Sequence, residues 1–413
     1  MVPSGWCFKK LSELACSSKN SFAIGPFGSD LVMSDYRDEG TPIVFVRDIK
    51  RGAFNWVSNT FVDIEKAKSL KAHSVKAGDI TITKMGLPPG IAAVYPESMP
   101  DGIVTADIIR LRLDTANYDA SFICLLLNSY DVSKQVKLRT AGQTRPKLTL
   151  KDYKSIGVCL PKLDEQRKIA KILSTWDKAV ATTEQLIETS KQQKKALMQQ
   201  LLTGKKRLVN PETGKAFDRG WEEVRAGNIF LTRSNKKHNS DLPILAITQD
   251  KGAIPRELID YNISVTKDSI SGYKVVEQGD FIISLRSFQG GIEYSRYKGI
   301  CSPAYVILYP KIEIVDAFYK YHLKSRPFIQ SMKSRLEGIR DGKIISYKYF
   351  SEIKLPQPSL EEQQKISAVL TAADKDIDAL EAKLAHFKQE KKALMQQLLT
   401  GKRRVKVEEM EVA

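Results

Sequence analysis

Lys194 to Lys205 reads KKALMQQLLTGK, and Lys391 to Lys402 reads the same twelve residues. Sliding the chain by 197 positions extends the match without a gap from Glu165-Gln166 against Glu362-Gln363, with 22 identities in 41 positions. A repeat of that strength organises the whole molecule. Both copies are rich in Lys, Gln, Leu, Ala and Glu and lack Gly and Pro until Gly204 and Gly401, which predicts two long helices closed by a left-handed glycine. The second opens with the capping-box pattern Ser359-Leu360-Glu361-Glu362; the first has Lys162 at the serine's place, so Asp164 is expected to cap it. From Glu165 to Leu202 a helix rises about 57 Å.

Apolar residues at alternating spacings of four and three predict a heptad seam. It runs through Ile169, Leu173, Trp176, Val180, Ile187, Leu197 and Leu201 in the first copy. In the second it runs through Ile366, Leu370, Ile377, Leu380, Leu384, Leu394 and Leu398. Because one chain carries both stripes, with a whole block between them to return it, the expected arrangement packs the two helices antiparallel; homodimerisation is the alternative. Lys194 and Lys391 interrupt the seam at corresponding places, where a polar group fixes register. Trp176 is read as a seam or partner-interface residue rather than a stacking platform for bases.

The rest of the 413 residues forms two blocks of similar length, 1–160 and 208–358, with the helical segments at 161–207 and 359–413. Gly5-Trp6 recurs as Gly220-Trp221, and the turn-then-strand from Val75 to Lys84 recurs from Val276 to Arg286. Gly-rich loops follow at 85–90 and 287–291. Strands are expected at 42–49, 108–113, 243–248 and 304–308, with short helices at 122–127 and 318–323. The fold class is therefore α+β: two mixed, diverged blocks on two long antiparallel helices.

The chain carries 65 Lys and Arg against 48 Asp and Glu, a net charge of +17, which suits a polyanionic partner. The excess is distributed: +5 in the first block, +6 in the first helical segment, +6 in the second block and none in the last segment. That distribution points to two basic surfaces rather than one basic tail. Five cysteines without a CxxC pair and four scattered histidines argue against a disulfide framework or a zinc cluster. No apolar run approaches the roughly 20 residues of a membrane span. The amino terminus has no signal-peptide h-region, so a cytoplasmic protein is expected.

Motifs of catalysis are missing from the sequence. There is no Asn/Asp-Pro-Pro-Tyr/Phe loop of an adenine methyltransferase and no GxxxxGK[ST] phosphate loop; Gly338 to Lys343 is too short and Ile344 follows the lysine. Asp79 and Asp280 follow glycines and read as turn residues. No catalytic residue, metal site or cofactor is expected in this chain.

Leu160-Pro161 before Asp164-Glu165-Gln166, and Leu355-Pro356 before Glu361-Glu362-Gln363, each open a long helix after a variable block. With Gly25-Pro-Phe-Gly-Ser29 and Gly142-Gln-Thr-Arg145, the chain resembles the specificity subunit of type I restriction-modification systems over essentially its full length. The resemblance implies a non-catalytic subunit whose two target recognition domains each read one half of a bipartite double-stranded DNA site. Two modification subunits carrying S-adenosylmethionine would dock on the helices and methylate adenine, and restriction subunits using ATP and Mg would join them. The second block lacks the Gly-Pro-Phe-Gly-Ser string. A coiled-coil scaffold binding nucleic acid without sequence preference is the competing class; it explains the charge and the rods but not two diverged blocks.

DNA readout needs long polar side chains on loops and strand ends. In the first block the candidates are Ser29, Arg47, Lys50, Arg51, Lys84, Gln143, Thr144, Arg145 and Lys147. In the second they are Arg233, Lys236, Lys237, Gln249, Arg286, Gln289, Arg340 and Lys343. A rigid rod between readers predicts that four residues inserted between Leu202 and Gly204 lengthen the unread gap and leave both half-sites unchanged.

Overall fold

The computed structural model describes residues 2–140, 146–210, 213–215, 217, 220–238, 241–259, 270–334 and 345–406. It divides into two units, 1–182 with 384–413, and 183–383.

In the first unit, short runs rich in buried Ile, Val and Thr build two small sheets. Ala92–Val94, Ile80–Thr83, Ile108–Leu111 and Phe22–Ile24 pair antiparallel in that order. The strand Ile80–Thr83 is buried at every position, as a central strand covered on both faces must be. A five-stranded sheet runs Tyr36–Arg37, Phe61–Val62, Thr41–Val44, Gly102–Val104, Ser74–Val75, with one parallel pairing between Thr41–Val44 and Gly102–Val104. Cys7–Lys10 pairs with Gly157–Leu160, so the block's two chain ends meet where the helical segment begins. The helices Ala120–Leu127 and Tyr130–Arg139 are capped by the side chains of Asp119 and Ser129, and pack on the four-stranded sheet.

The second unit repeats this plan. Glu293–Tyr294, Phe281–Ile283, Val306–Pro310 and Phe230–Arg233 form the corresponding four-stranded sheet, and Glu222–Arg225 pairs with Lys354–Gln357. In both units the turn into the central strand has a glycine at positive φ, Gly78 (82°) and Gly279 (95°), followed by a buried aspartate. Asp79 accepts from the Lys76 N–H at 2.9 Å and from Arg112 at 2.7 and 2.8 Å. Asp280 accepts from the Glu277 N–H at 2.8 Å and pairs with Arg233 at 2.8 Å. These aspartates thus close turns, as expected, and are also tied through arginine to another strand of their sheet or its end, Asp280 across the intervening strand Val306–Pro310.

The long helices are Leu163–Leu201 and Leu360–Leu398, 39 residues each. Ser359 accepts from the Glu362 N–H at 3.3 Å, as its capping box predicts. The first helix departs from expectation. It starts at Leu163, so Asp164 lies inside the first turn rather than at the cap, where its charge still favours the positive end of the helix dipole. Gly204 and Gly401, at φ of 68° and 69°, end the two helices in the left-handed conformation.

Within each unit the end of one helix lies antiparallel to the start of the other. Lys391 bonds Asp177 in the first unit, and its repeat-mate Lys194 bonds Asp374 in the second, where Lys191 and Glu381 also pair at 2.6 Å. Both seam lysines are therefore matched by an aspartate that is itself repeated at the 197-residue interval. Trp176 packs edge-to-face on Phe387 at 5.6 Å. Ile169, Leu173, Ile187, Leu201, Ile366, Leu370, Ile377 and Leu398 are buried, and Trp176, Val180, Leu197, Leu380, Leu384 and Leu394 are half-buried. Among the described residues no helix is long and apolar enough to cross a membrane.

One buried group gives the second unit a pH-dependent stability. His322 is stacked on Phe318, its ring bonded to the Leu202 carbonyl and its Nδ1 without a partner. Burial lowers its pKa to about 4. A base depressed in the folded state contributes stability that is whole above its unfolded pKa of about 6.5 and lost as pH falls toward 4. Leu126 stands at the corresponding place after Phe122, so H322L should preserve packing. Relative to the wild type, H322L is expected to gain about 3 kcal/mol on going from pH 7 to 4. Asp280, raised to about 6, contributes the opposite slope and cancels in that comparison. Parallel pH-dependent stability curves for the two proteins would refute this.

Candidate nucleic-acid interface

Each unit mounts its block on the helices with the same side chains. Glu165 accepts from Arg404 Nε and Nη2, both at 2.7 Å, and Glu362 accepts from Arg207 at 2.6 and 2.8 Å. The arginines lie over Trp6 and Trp221, at 6.0 and 5.9 Å from their ring centroids. The adjoining glutamines reach into the blocks. Gln166 donates to the Pro161 carbonyl and accepts from the Asp119 N–H, and Gln363 does the same with Pro358 and Val315, all at 2.9 to 3.0 Å. All of these helix residues are identical in the two copies of the repeat. The twin mounts therefore explain why the repeat is strict at its ends.

On the first block, the loop from Pro26 to Gly28 borders a cleft of about 380 Å³ that Phe45, Arg47, Ala106 and Asp107 also line. Arg47 is exposed; its Nε donates to Ser58 Oγ at 2.8 Å and its guanidinium lies 4.5 Å over Phe45. Ser29 is exposed on the same loop, and Lys147 is exposed beside Met85. Lys84 is buried. Its Nζ donates to the Ala106 carbonyl at 3.2 Å and sits 5.0 Å from the Phe27 ring centroid, and burial, then Lys147, pull its pKa below the usual lysine range. Lys50 is exposed on its own short strand. Arg51 lies apart from this group: it donates to the Asn128 carbonyl at 2.6 Å and lines a groove of about 1420 Å³ between helix Tyr130–Arg139 and residues 388–402. Gln143, Thr144 and Arg145 lie outside the described residues.

On the second block, Gln249, Arg286 and Gln289 come together. Gln249 Nε2 is 3.5 Å from the Arg286 carbonyl and packs on Gly290, where a β-carbon would stand 2.7 Å from its Cδ. Arg286 and Gln289 are exposed, as are Lys236 and Lys237 at the end of another strand. Arg233 is drawn into the sheet by Asp280 and by the Tyr309 ring beneath it at 4.5 Å, so it does not stand out as the other candidates do. Arg340 and Lys343 lie outside the described residues. Two cations escaped the sequence reading. Lys324 pairs with buried Glu293 at 2.5 Å and donates to the Gln249 carbonyl at 2.7 Å. Arg256 has Nε and Nη1 buried with no hydrogen-bond partner among the described residues. No local signal marks either, because the partners of Lys324 are distant in sequence and the burial of Arg256 appears only in the fold.

The comparisons with known proteins agree on one family. The Type I restriction modification DNA specificity domain matches residues 3–192 and again 219–388. The MjaX specificity subunit of a type I restriction enzyme from Methanocaldococcus jannaschii is 26% identical, covering 98% of this chain and 95% of that one. The MjaVIII specificity subunit of the same organism is 28% identical over 74% of this chain and 75% of that one. Among solved structures, the HsdS subunit from Thermoanaerobacter tengcongensis has the same fold at a TM-score of 0.53 and 20% identity, covering 97% of this chain and 98% of that one. With both halves matched in turn and the mount residues in place at each, the chain belongs to the type I restriction-modification DNA specificity family.

Proposed function

We propose that this chain reads a bipartite double-stranded DNA site, one half per block, for a type I restriction-modification enzyme whose chemistry resides on other subunits. The chain itself is non-catalytic in this reading, and S-adenosylmethionine, ATP and Mg belong to its partners. The target recognition domains are 1–160 and 208–358, and 161–207 and 359–413 are the spacer helices. The carrying observation is the pair of identical mounts holding blocks of unlike surface: the same Glu-Arg-Trp assembly supports Phe27, Arg47 and Lys147 in one unit and Gln249, Arg286 and Gln289 in the other.

Two copies of one modification subunit suit the struts. Lys195, Gln199 and Gln200 are exposed and identical to exposed Lys392, Gln396 and Gln397, where core packing imposes no identity. Lys195, Met198 and Gln199 line a groove with helix Arg326–Ser334, as Lys392, Met395 and Gln396 do with helix Tyr130–Arg139. A shared binder at both places supplies the constraint that packing does not. Restriction subunits would join that assembly.

The test is to express the chain with its modification subunits and map methylated adenines across the DNA of the host. A bipartite motif with a fixed gap is expected, and exchanging residues 1–160 for those of a relative should change one half only. Methylation independent of this chain, or strong salt-dependent binding without discrimination among sequences, would overturn the reading.

A further inference from the structure

The loops that follow the central strands end on exposed leucines. In the first unit the loop between Ile80–Thr83 and Ala92–Val94 carries Leu87, 79% exposed; in the second the loop between Phe281–Ile283 and Glu293–Tyr294 carries Leu285, 46% exposed. A single exposed leucine is ordinary. Two at the corresponding loop of blocks that scarcely share sequence call for a common cause.

Both loops are held firmly. Each returns through a glycine at positive φ pressed on the helical layer: Gly90 (81°), where a β-carbon would come within 3.0 Å of Val136, and Gly291 (88°), where it would come within 2.3 Å of the Leu323 carbonyl. The leucines are thus presented by a fixed scaffold. Two and three residues before Leu87 stand Met85, whose backbone bridges exposed Lys147, and Lys84, whose ammonium lies 5.0 Å from the ring of exposed Phe27. Leu285 is followed by exposed Arg286, with exposed Gln289 in the next turn. An apolar tip on a loop that carries or borders an exposed cation, Arg286 in one unit and Lys147 in the other, matches a surface that is anionic outside and offers an apolar group within.

Resting on the proposed DNA reading, we infer that Leu87 and Leu285 are specificity-determining residues, each contacting the 5-methyl group of a thymine in the half-site its block reads. That methyl is the apolar group of the major groove, where the other base-edge positions offer donors or acceptors that a leucine would leave unpaired. The reading supplies the thymine, since a half-site with a methylatable adenine contains an A·T pair.

The experiment uses the chain assembled with its modification subunits on a duplex carrying the mapped site. Each thymine is replaced in turn by deoxyuridine, which keeps the base pair and removes only the methyl. One substitution in the first half-site should weaken wild-type binding about fourfold, the worth of the one buried carbon that deoxyuridine lacks. L87A should bind the unmodified duplex as weakly as the wild type binds that substituted one, and lose nothing further on it; L285A should behave likewise in the second half-site only. Both side chains are exposed, so the variants should fold and assemble. Indifference of the wild type to every deoxyuridine, an L87A loss equal on all sequences, or an L87A failure to retain the modification subunits would overturn the inference; the last would make the tip a protein contact. If the wild-type complex has no specific site at all, it is the DNA reading that fails, and this shows before any variant is made.

Discussion

Replacing Glu362 with alanine is expected to destabilise the second unit by about 3 kcal/mol, while E165A costs the first unit less than half as much. The two carboxylates are repeat-mates, yet their settings differ. Glu362 is fully buried and receives Arg207 and, at 2.9 Å, the Trp221 indole N–H; Arg207 is 25% exposed. Removing it takes the shared carboxylate from a largely buried guanidinium, which keeps the Phe217 carbonyl at 3.2 Å, and from an indole, and breaking such a pair costs about 3–5 kcal/mol. Glu165 faces Arg404, which is 44% exposed and recovers hydration when the pair is lost, and Trp6 Nε1 has no hydrogen-bond partner to lose. Urea titration with hydrogen exchange resolved to each unit would measure both variants. The double variant E362A/R207M should recover part of the loss, because an apolar pair leaves no stranded charge. Equal costs for the two glutamates, or a double variant no better than E362A, would show that the mount is held by its apolar contacts alone.

The struts were legible because identity and period report them directly: a seam residue must be apolar whatever it meets. The lysines in the seam were legible as interruptions, but their partners Asp177 and Asp374 emerge only when the antiparallel register aligns positions nearly 200 apart. The mount residues were visible as identities without a role, since Glu165 and Arg404 are separated by 239 positions. The common plan of the blocks was hidden for another reason. Their strands are two to five residues long, and apolar periodicity over so few residues leaves pairing open, so Gly5-Trp6 with Gly220-Trp221, the two Gly-Asp turns and the Gly-rich loops after them carry what the sequence keeps of one topology. Among the candidate contacts, charge and loop position did not separate Arg47, which is exposed, from Arg233, which a buried aspartate holds, or from Lys84, which is buried. The exposed leucines carry no mark in the sequence, because a leucine reads as core until the fold places it at the surface.

Inserting four residues into each helix, after Thr183 and after Leu384, should lengthen the preferred gap by one or two base pairs, leave both half-sites unchanged, and weaken binding to the original site at least tenfold. The pairs Asp177–Lys391 in the first unit and Lys194–Asp374 in the second follow one antiparallel register, and insertions after Thr183 and after Leu384 leave both pairs in it. Four residues there advance each helix by about 6 Å, close to two base-pair steps, with a residual rotation of about 40° that favours the nearer spacings. A four-residue insertion shifts the seam by little more than one turn and is absorbed by local unwinding. Both sites lie within a residue of the limits of the two units, so neither mount is disturbed. The single insertion between Leu202 and Gly204 is a different experiment. It carries Arg207 and Trp221 away from Glu362 and should act chiefly by loosening the second mount, as E362A does. The two insertions therefore separate a ruler from a joint: methylation mapping after the paired insertion should return the same half-sites at a new gap, and the single insertion should lower methylation at the old one. An unchanged gap after the paired insertion, or a changed half-site, would mean that the helices do not set the distance between the two readers.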